Sequence, residues 1–220
     1  MMVVRGNFQT ELEQLKNMLL ELGKKAETAM NRAIEALKTQ NVDDAIHIIE
    51  DDAEINVLED EINDLAILMI AKQQPVATDL RRIIVALRIS TDLERVGDLA
   101  VNIAKSVIRI GDGKLIKPIE EIPRMAAIAQ KMNADVLEAF YKEDVDLAKK
   151  VAEIDDQVDD MYGRLVQELL ELMTQNPDFI RQITQLAFIC RYIERYADHA
   201  TNISESVIYL VKGKHYDLNA

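Results

Sequence analysis

The 220-residue sequence predicts an all-α fold, two tandem three-helix bundles related by an internal repeat, and three observations carry that reading. Long stretches of Ala, Leu, Ile, Glu, Lys, Asp and Met run without a turn signal. Only seven Gly and four Pro interrupt them. Finally, residues 94–108, ERVGDLAVNIAKSVI, return at residues 194–208 as ERYADHATNISESVI, identical at nine of fifteen positions. Self-similarity at that period marks a repeated supersecondary unit.

Each break between helices has a local cause. The first helix is expected to end at Thr39-Gln40-Asn41, where Asn41 can cap the next helix with Asp44 three residues on. The second ends at Gln73-Gln74-Pro75, because a residue before proline is driven out of the helical region. Gly111-Asp112-Gly113, followed by Pro118, is the strongest break and divides the chain into residues 1–112 and 113–220. The fourth helix stops near Tyr141–Asp144. The fifth stops at Gln175-Asn176-Pro177-Asp178, which reads as an Asn cap with proline in the first helical position. The helices between these breaks are mostly about 25–35 residues, or roughly 40–50 Å, long. Short connections between such helices imply antiparallel neighbours.

The repeat register extends beyond the best-matching stretch. Arg81 and Ile83 match Arg181 and Ile183 at the same offset, whereas Val42-Asp43 and Ala45 match Val145-Asp146 and Ala148 three residues further on. The slip falls around Pro75 and Pro177, in loops, where length changes are tolerated.

Composition excludes several function classes. Apolar residues at 49% and charged residues at 30% describe a globular chain. A net charge of −13 repels nucleic-acid backbones and anionic lipid, and favours cations or basic protein surfaces. Cys190 is the only cysteine, which leaves no intrachain disulfide and no cysteine-rich zinc site. The N-terminal residues lack a signal-peptide apolar segment, and the longest apolar run, Leu65–Ala71, is far too short to span a bilayer. The expectation is a cytoplasmic protein with no membrane insertion and no nucleic-acid partner.

The residues with chemical potential are carboxylates. At 100° per residue, Glu94, Asp98 and Asn102 fall together on the third helix, away from the stripe of Ile89, Leu93, Val96, Ala100 and Ile103. Glu194, Asp198 and Asn202 repeat the arrangement on the sixth, so the row reads as an outward face kept by both halves. A second row follows the middle helix of each half: Asp52, Asn56, Glu59 and Asn63 in the first, Asp155 and Asp159 in the second. Like charges four residues apart repel. Two facing rows of oxygen donors would suit a hard cation such as Fe, Mn, Mg or Ca better than Zn or Cu. Two plainer readings stay open: a solvated acidic face, or neutralisation by the shared Arg95 and Arg195. His199 has Leu99 as its counterpart and reads as incidental, Cys190 as a small core residue and Gly97 as a packing glycine. No phosphate loop or nucleophile–base constellation occurs, so the chain is not expected to be an enzyme.

The doubled text around DLERVGDLAVNIA and YIERYADHATNIS, with the opening Phe8-Gln9-Thr10-Glu11-Leu12 segment, resembles the PhoU family over essentially the whole chain. The resemblance implies carboxylate rows that hold clusters of iron, or another divalent cation such as Mn, Mg or Zn, with no organic cofactor. Carried over residue by residue, the ligands would be Asp52, Glu94 and Asp98 in the first half and Asp155, Asp159, Glu194 and Asp198 in the second. Asn56 departs from the pattern where an acid is expected. The resemblance further implies a non-enzymatic negative regulator of phosphate uptake. It would link the phosphate ABC transporter ATPase to a sensor histidine kinase and exist as a homodimer. A carboxylate-bridged metalloenzyme and a structural helical scaffold are the alternatives.

Overall fold

A computed structural model describes the backbone of residues 2–216 and 218 and the side chains from Phe8 onward. Among these residues six α-helices form: α1 (Met2–Thr39), α2 (Val42–Gln73), α3 (Ala77–Ile110), α4 (Glu121–Lys142), α5 (Val145–Gln175) and α6 (Ile180–Lys212). No strand occurs among them.

The cap expected at Asn41 forms, the one expected at Asn176 does not, and Asp144, read only as part of a turn, supplies another. Asn41 accepts a bond from the Asp44 amide at 3.0 Å, as its position predicts. The Asp44 carboxylate does not reach back to complete the box, because Arg32 of α1 holds it at 2.6 Å. Asp144 caps α5 by accepting from the Asp146 and Leu147 amides. Pro177, however, opens a 3-10 turn (Pro177–Phe179), and α6 begins only at Ile180. The Asn176 side chain turns back to the Leu172 carbonyl and does not cap the following helix. Proline preset the turn, but the tighter winding postponed α6 by one turn.

Helix α1 buries Leu12, Leu15, Leu19, Leu22, Ala26 and Met30, spaced three and four residues apart, against α2 and α3. The second half repeats the plan, with α4 and α5 packed on α6. The halves meet chiefly along α3 and α6, which run antiparallel: Arg81 approaches Gly213, the Arg88 guanidinium lies over the Tyr209 ring, and Asp92 meets His199. One continuous apolar core results. Cys190 lies wholly within it, and burial pushes its thiol up to about 12.

Two polar ties fix the connections. The Gln40 amide donates to the carbonyls of Gly111 and Gly113, clamping the α1–α2 turn to the segment after α3. Arg82 of α3 donates to Glu143 at the α4–α5 turn, 3.0 Å from Nε to Oε1, and so links the halves a second time.

Candidate functional site

The carboxylate rows are only partly open to water: Asp52, Glu94, Asp98 and Asp198 are half-buried, and Asp159 is exposed. Because α3 and α6 are each packed on several sides, the direction away from their main apolar stripe points toward a sister helix. The Glu-x-x-x-Asp row of α3 lies on the seam with α2, and that of α6 on the seam with α5. Asp155 and Glu194 are buried, 9% and 8% exposed respectively. The outward reading is thereby corrected in full for Glu194 and in part for the other row residues: one helix's periodicity separates its faces but cannot say which face a neighbour will cover.

In the first half the structure brings Asp52 of α2 together with Glu94 and Asp98 of α3, with Glu59 near enough for its charge to be felt at Glu94. Each acid has local compensation. The Asn56 amide donates to Asp52 at 3.2 Å, the Asn63 amide to Glu59 at 2.7 Å, and Arg95 bridges Glu94 and Asp98 at 3.4 and 2.7 Å. Burial, and then the charge of Asp98, still raise the Glu94 carboxyl above its ordinary range. Burial likewise raises Asp52, with the Asn56 bond working against it. Gly97 makes the seam this close. A Cβ there would stand 3.0 Å from Ile55 Cδ1 and 3.3 Å from Asp52 Oδ1.

The second half brings Asp155 and Asp159 of α5 to Glu194 and Asp198 of α6, with far less compensation. Arg191, one turn before Glu194, contacts Glu194 Oε1. Arg195 makes no ion pair among the described residues, so the neutralising alternative left open for it falls instead to Arg191, which has Thr91 as its counterpart. Burial and the neighbouring acids push Asp155 up to about 6 and Glu194 up to about 7. Asp159 is raised for the same reasons. The Thr201 hydroxyl favours ionised Asp155 but stands outside hydrogen-bond geometry, leaving Asp155 Oδ1 buried without a partner. Glu194 Oε2 is orphaned in the same way.

Among the described residues no three His, Cys, Asp or Glu side chains are gathered closely enough to hold one ion as they stand. The donor chemistry nonetheless suits a hard cation. The oxygens are all carboxylate, two are buried without a partner, and repulsion among them favours any added positive charge, proton or metal.

One engaged residue escaped the sequence reading. His199 Nδ1 lies 2.9 Å from Asp92 Oδ1, and the Asn202 amide donates weakly to the same oxygen at 3.4 Å. The pair links α6 to α3. Its only sequence signal is that both members depart from the repeat, with Tyr192 opposite Asp92 and Leu99 opposite His199.

A model of the PhoU domain matches residues 19–107 and 122–207. The chain is 41% identical over 218 residues to a phosphate-specific transport system accessory protein PhoU homolog of Clostridium acetobutylicum, covering 99% of this chain and 100% of that one. It is 31% identical over 213 residues to the accessory protein PhoU of Escherichia coli K12, covering 97% and 88%. The crystal structure of PhoU from Pseudomonas aeruginosa superposes with a TM-score of 0.90 at 36% identity, covering 94% of this chain and all of that one.

Proposed function

The chain belongs to the PhoU family, and on that footing we propose that it regulates phosphate uptake as an accessory protein of the phosphate transport system. The observation that carries this reading is the family match through both halves, joined to near-complete coverage of relatives named for that role. In finer detail, the protein represses phosphate-starvation signalling when phosphate is plentiful. It does so as a homodimeric cytoplasmic adaptor between the transporter ATPase and a sensor histidine kinase. No helix among the described residues is long and apolar enough to cross a membrane, which accords with a role carried out through contacts with other proteins.

The carboxylate clusters are part of the proposal. Asp155, Asp159, Glu194 and Asp198 would hold iron, manganese or another divalent cation, and Asp52, Glu94 and Asp98 would hold one more weakly. The orphaned buried oxygens of Asp155 and Glu194 support the second half as the stronger site. A cation there offsets the repulsion between α5 and α6 and locks the seam. The experiment is deletion of the gene in its host, with a phosphate-starvation reporter read in high phosphate. Derepression that the wild-type gene restores is expected; a reporter that stays silent refutes the regulatory reading.

A further inference from the structure

We propose that the outer face of α2 is the docking surface for a basic amphipathic helix of a partner protein. The inference rests on the reading of this chain as a regulator that works through protein contacts, and it names one surface for them. Ile46, Val57 and Leu68 stand eleven residues apart, three turns plus about 20°, so they form one line roughly 33 Å long. They are 42%, 57% and 44% exposed. Their line points away from the face on which Ile48, Ile55 and Ile62 enter the core, and among the described residues α2 touches only α1 and α3. Beyond its core stripe this helix therefore keeps three aliphatic side chains exposed on the opposite face, where they alternate with Glu50, Glu61 and Asp64.

The repeat supplies the control. Shifted by 103 residues, the same line on α5 reads Lys149, Asp160 and Glu171, all exposed. The shared fold therefore does not require apolar residues there. The aliphatic line is thus particular to the first half.

Charge selects the occupant. Asp43, Glu50, Asp60, Glu61 and Asp64 flank or interrupt the line, and α2 carries ten acids against a single lysine, Lys72, near its end. Asp43, Asp60, Glu61 and Asp64 make no ion pair among the described residues, so their charge is available to a partner. A second copy of this chain would set two acidic rims against each other, and anionic lipid would meet the same repulsion. A helix with an aliphatic stripe bordered by Lys and Arg satisfies both features. Beside Val57 a shallow groove of about 360 Å³, bordered by Glu21, Lys25 and Leu58, can receive one of its side chains.

The test titrates the full-length protein with a fluorescent Leu/Lys amphipathic peptide of about 22 residues, matching the length of the line. A shuffled peptide of equal composition reports charge alone. The amphipathic peptide is expected to bind, and more weakly as salt rises. Val57→Asp and Leu68→Asp should each weaken it at least about tenfold, while Asp160→Lys on α5 leaves it unchanged. Both apolar positions are exposed, so an unchanged circular dichroism spectrum is expected to accompany the loss. Four outcomes each overturn the proposal: no binding at low salt, equal binding of the shuffled peptide, indifference to both Asp variants, or a dimer that Val57→Asp dissolves in sedimentation. The gene-deletion reporter fails or succeeds independently of this titration, so loss of the phosphate reading and loss of this surface are separately visible.

Discussion

Replacing Glu194 by Gln should stabilise the metal-free protein at alkaline pH. In the folded chain Glu194 is 8% exposed, and its carboxyl rises from 4.5 to about 7 through burial first and the Asp198 charge second, with Arg191 pulling the other way. Between about pH 4.5 and 7 the folded chain thus holds a proton that the unfolded chain has released. Stability must therefore fall as pH rises through that window, with the loss complete above it. At about 1.4 kcal/mol per pH unit the loss is on the order of 3 kcal/mol. The pull of Arg191 is already contained in that rise, and Gln stands in for the neutral acid. The expectation is stabilisation of roughly 3 kcal/mol at pH 8 and almost none at pH 4. Urea unfolding after chelation, followed by far-ultraviolet circular dichroism, reads this as a midpoint shift of about 1.5 M at a slope of about 2 kcal/mol per molar. Asp155→Asn should act in the same direction but not additively, because both acids feel Asp159 and Asp198. A Glu194→Gln protein less stable than wild type at pH 8, or wild-type stability that climbs from pH 5 to pH 8, refutes the reasoning.

Four further outcomes follow from the same geometry. Asp198→Ala should remove more bound Fe or Mn than Asp98→Ala, measured by elemental analysis of the loaded protein, since Asn56 and Arg95 already relieve the first cluster. Gly97→Val should destabilise by about 1–3 kcal/mol in the same urea assay, because even a Cβ meets Ile55 at 3.0 Å. His199→Leu, which installs its repeat counterpart, should cost about 1–2 kcal/mol at pH 7 by leaving Asp92 with only the weak Asn202 contact. Asn133 is fully buried with neither amide atom partnered and has Met30 as its repeat counterpart, so Asn133→Leu should raise thermal stability by about 1–3 kcal/mol.

Much of the architecture was legible in the residues. Six helices, their breaks at Asn41, Pro75, Gly111 and Asp144, and the equivalence of Glu94 with Glu194 follow from caps, prolines and a repeat. These are local or self-referential signals: a cap acts within one turn, and a repeat needs no knowledge of what lies opposite. The late start of α6 shows the limit even here, since Pro177 is equally at home in a 3-10 turn. At the candidate site, the seven carboxylates could be named and sorted into two sets, because spacing places i and i+4 on one face.

What surrounds those faces belonged to the tertiary structure. Helical periodicity made the Glu94 and Glu194 rows look outward, yet packing of α2 on α3 and α5 on α6 partly covers them, and that burial raises the proton affinity of Glu94 and Glu194. Desolvation depends on the neighbour, which no single-helix wheel contains. For the same reason Arg191 displaced Arg195 as the counterion, and His199 found Asp92 across more than a hundred residues of chain. The line of Ile46, Val57 and Leu68 needed structure too: an aliphatic residue on a helix reads as core until three dimensions show that face uncovered.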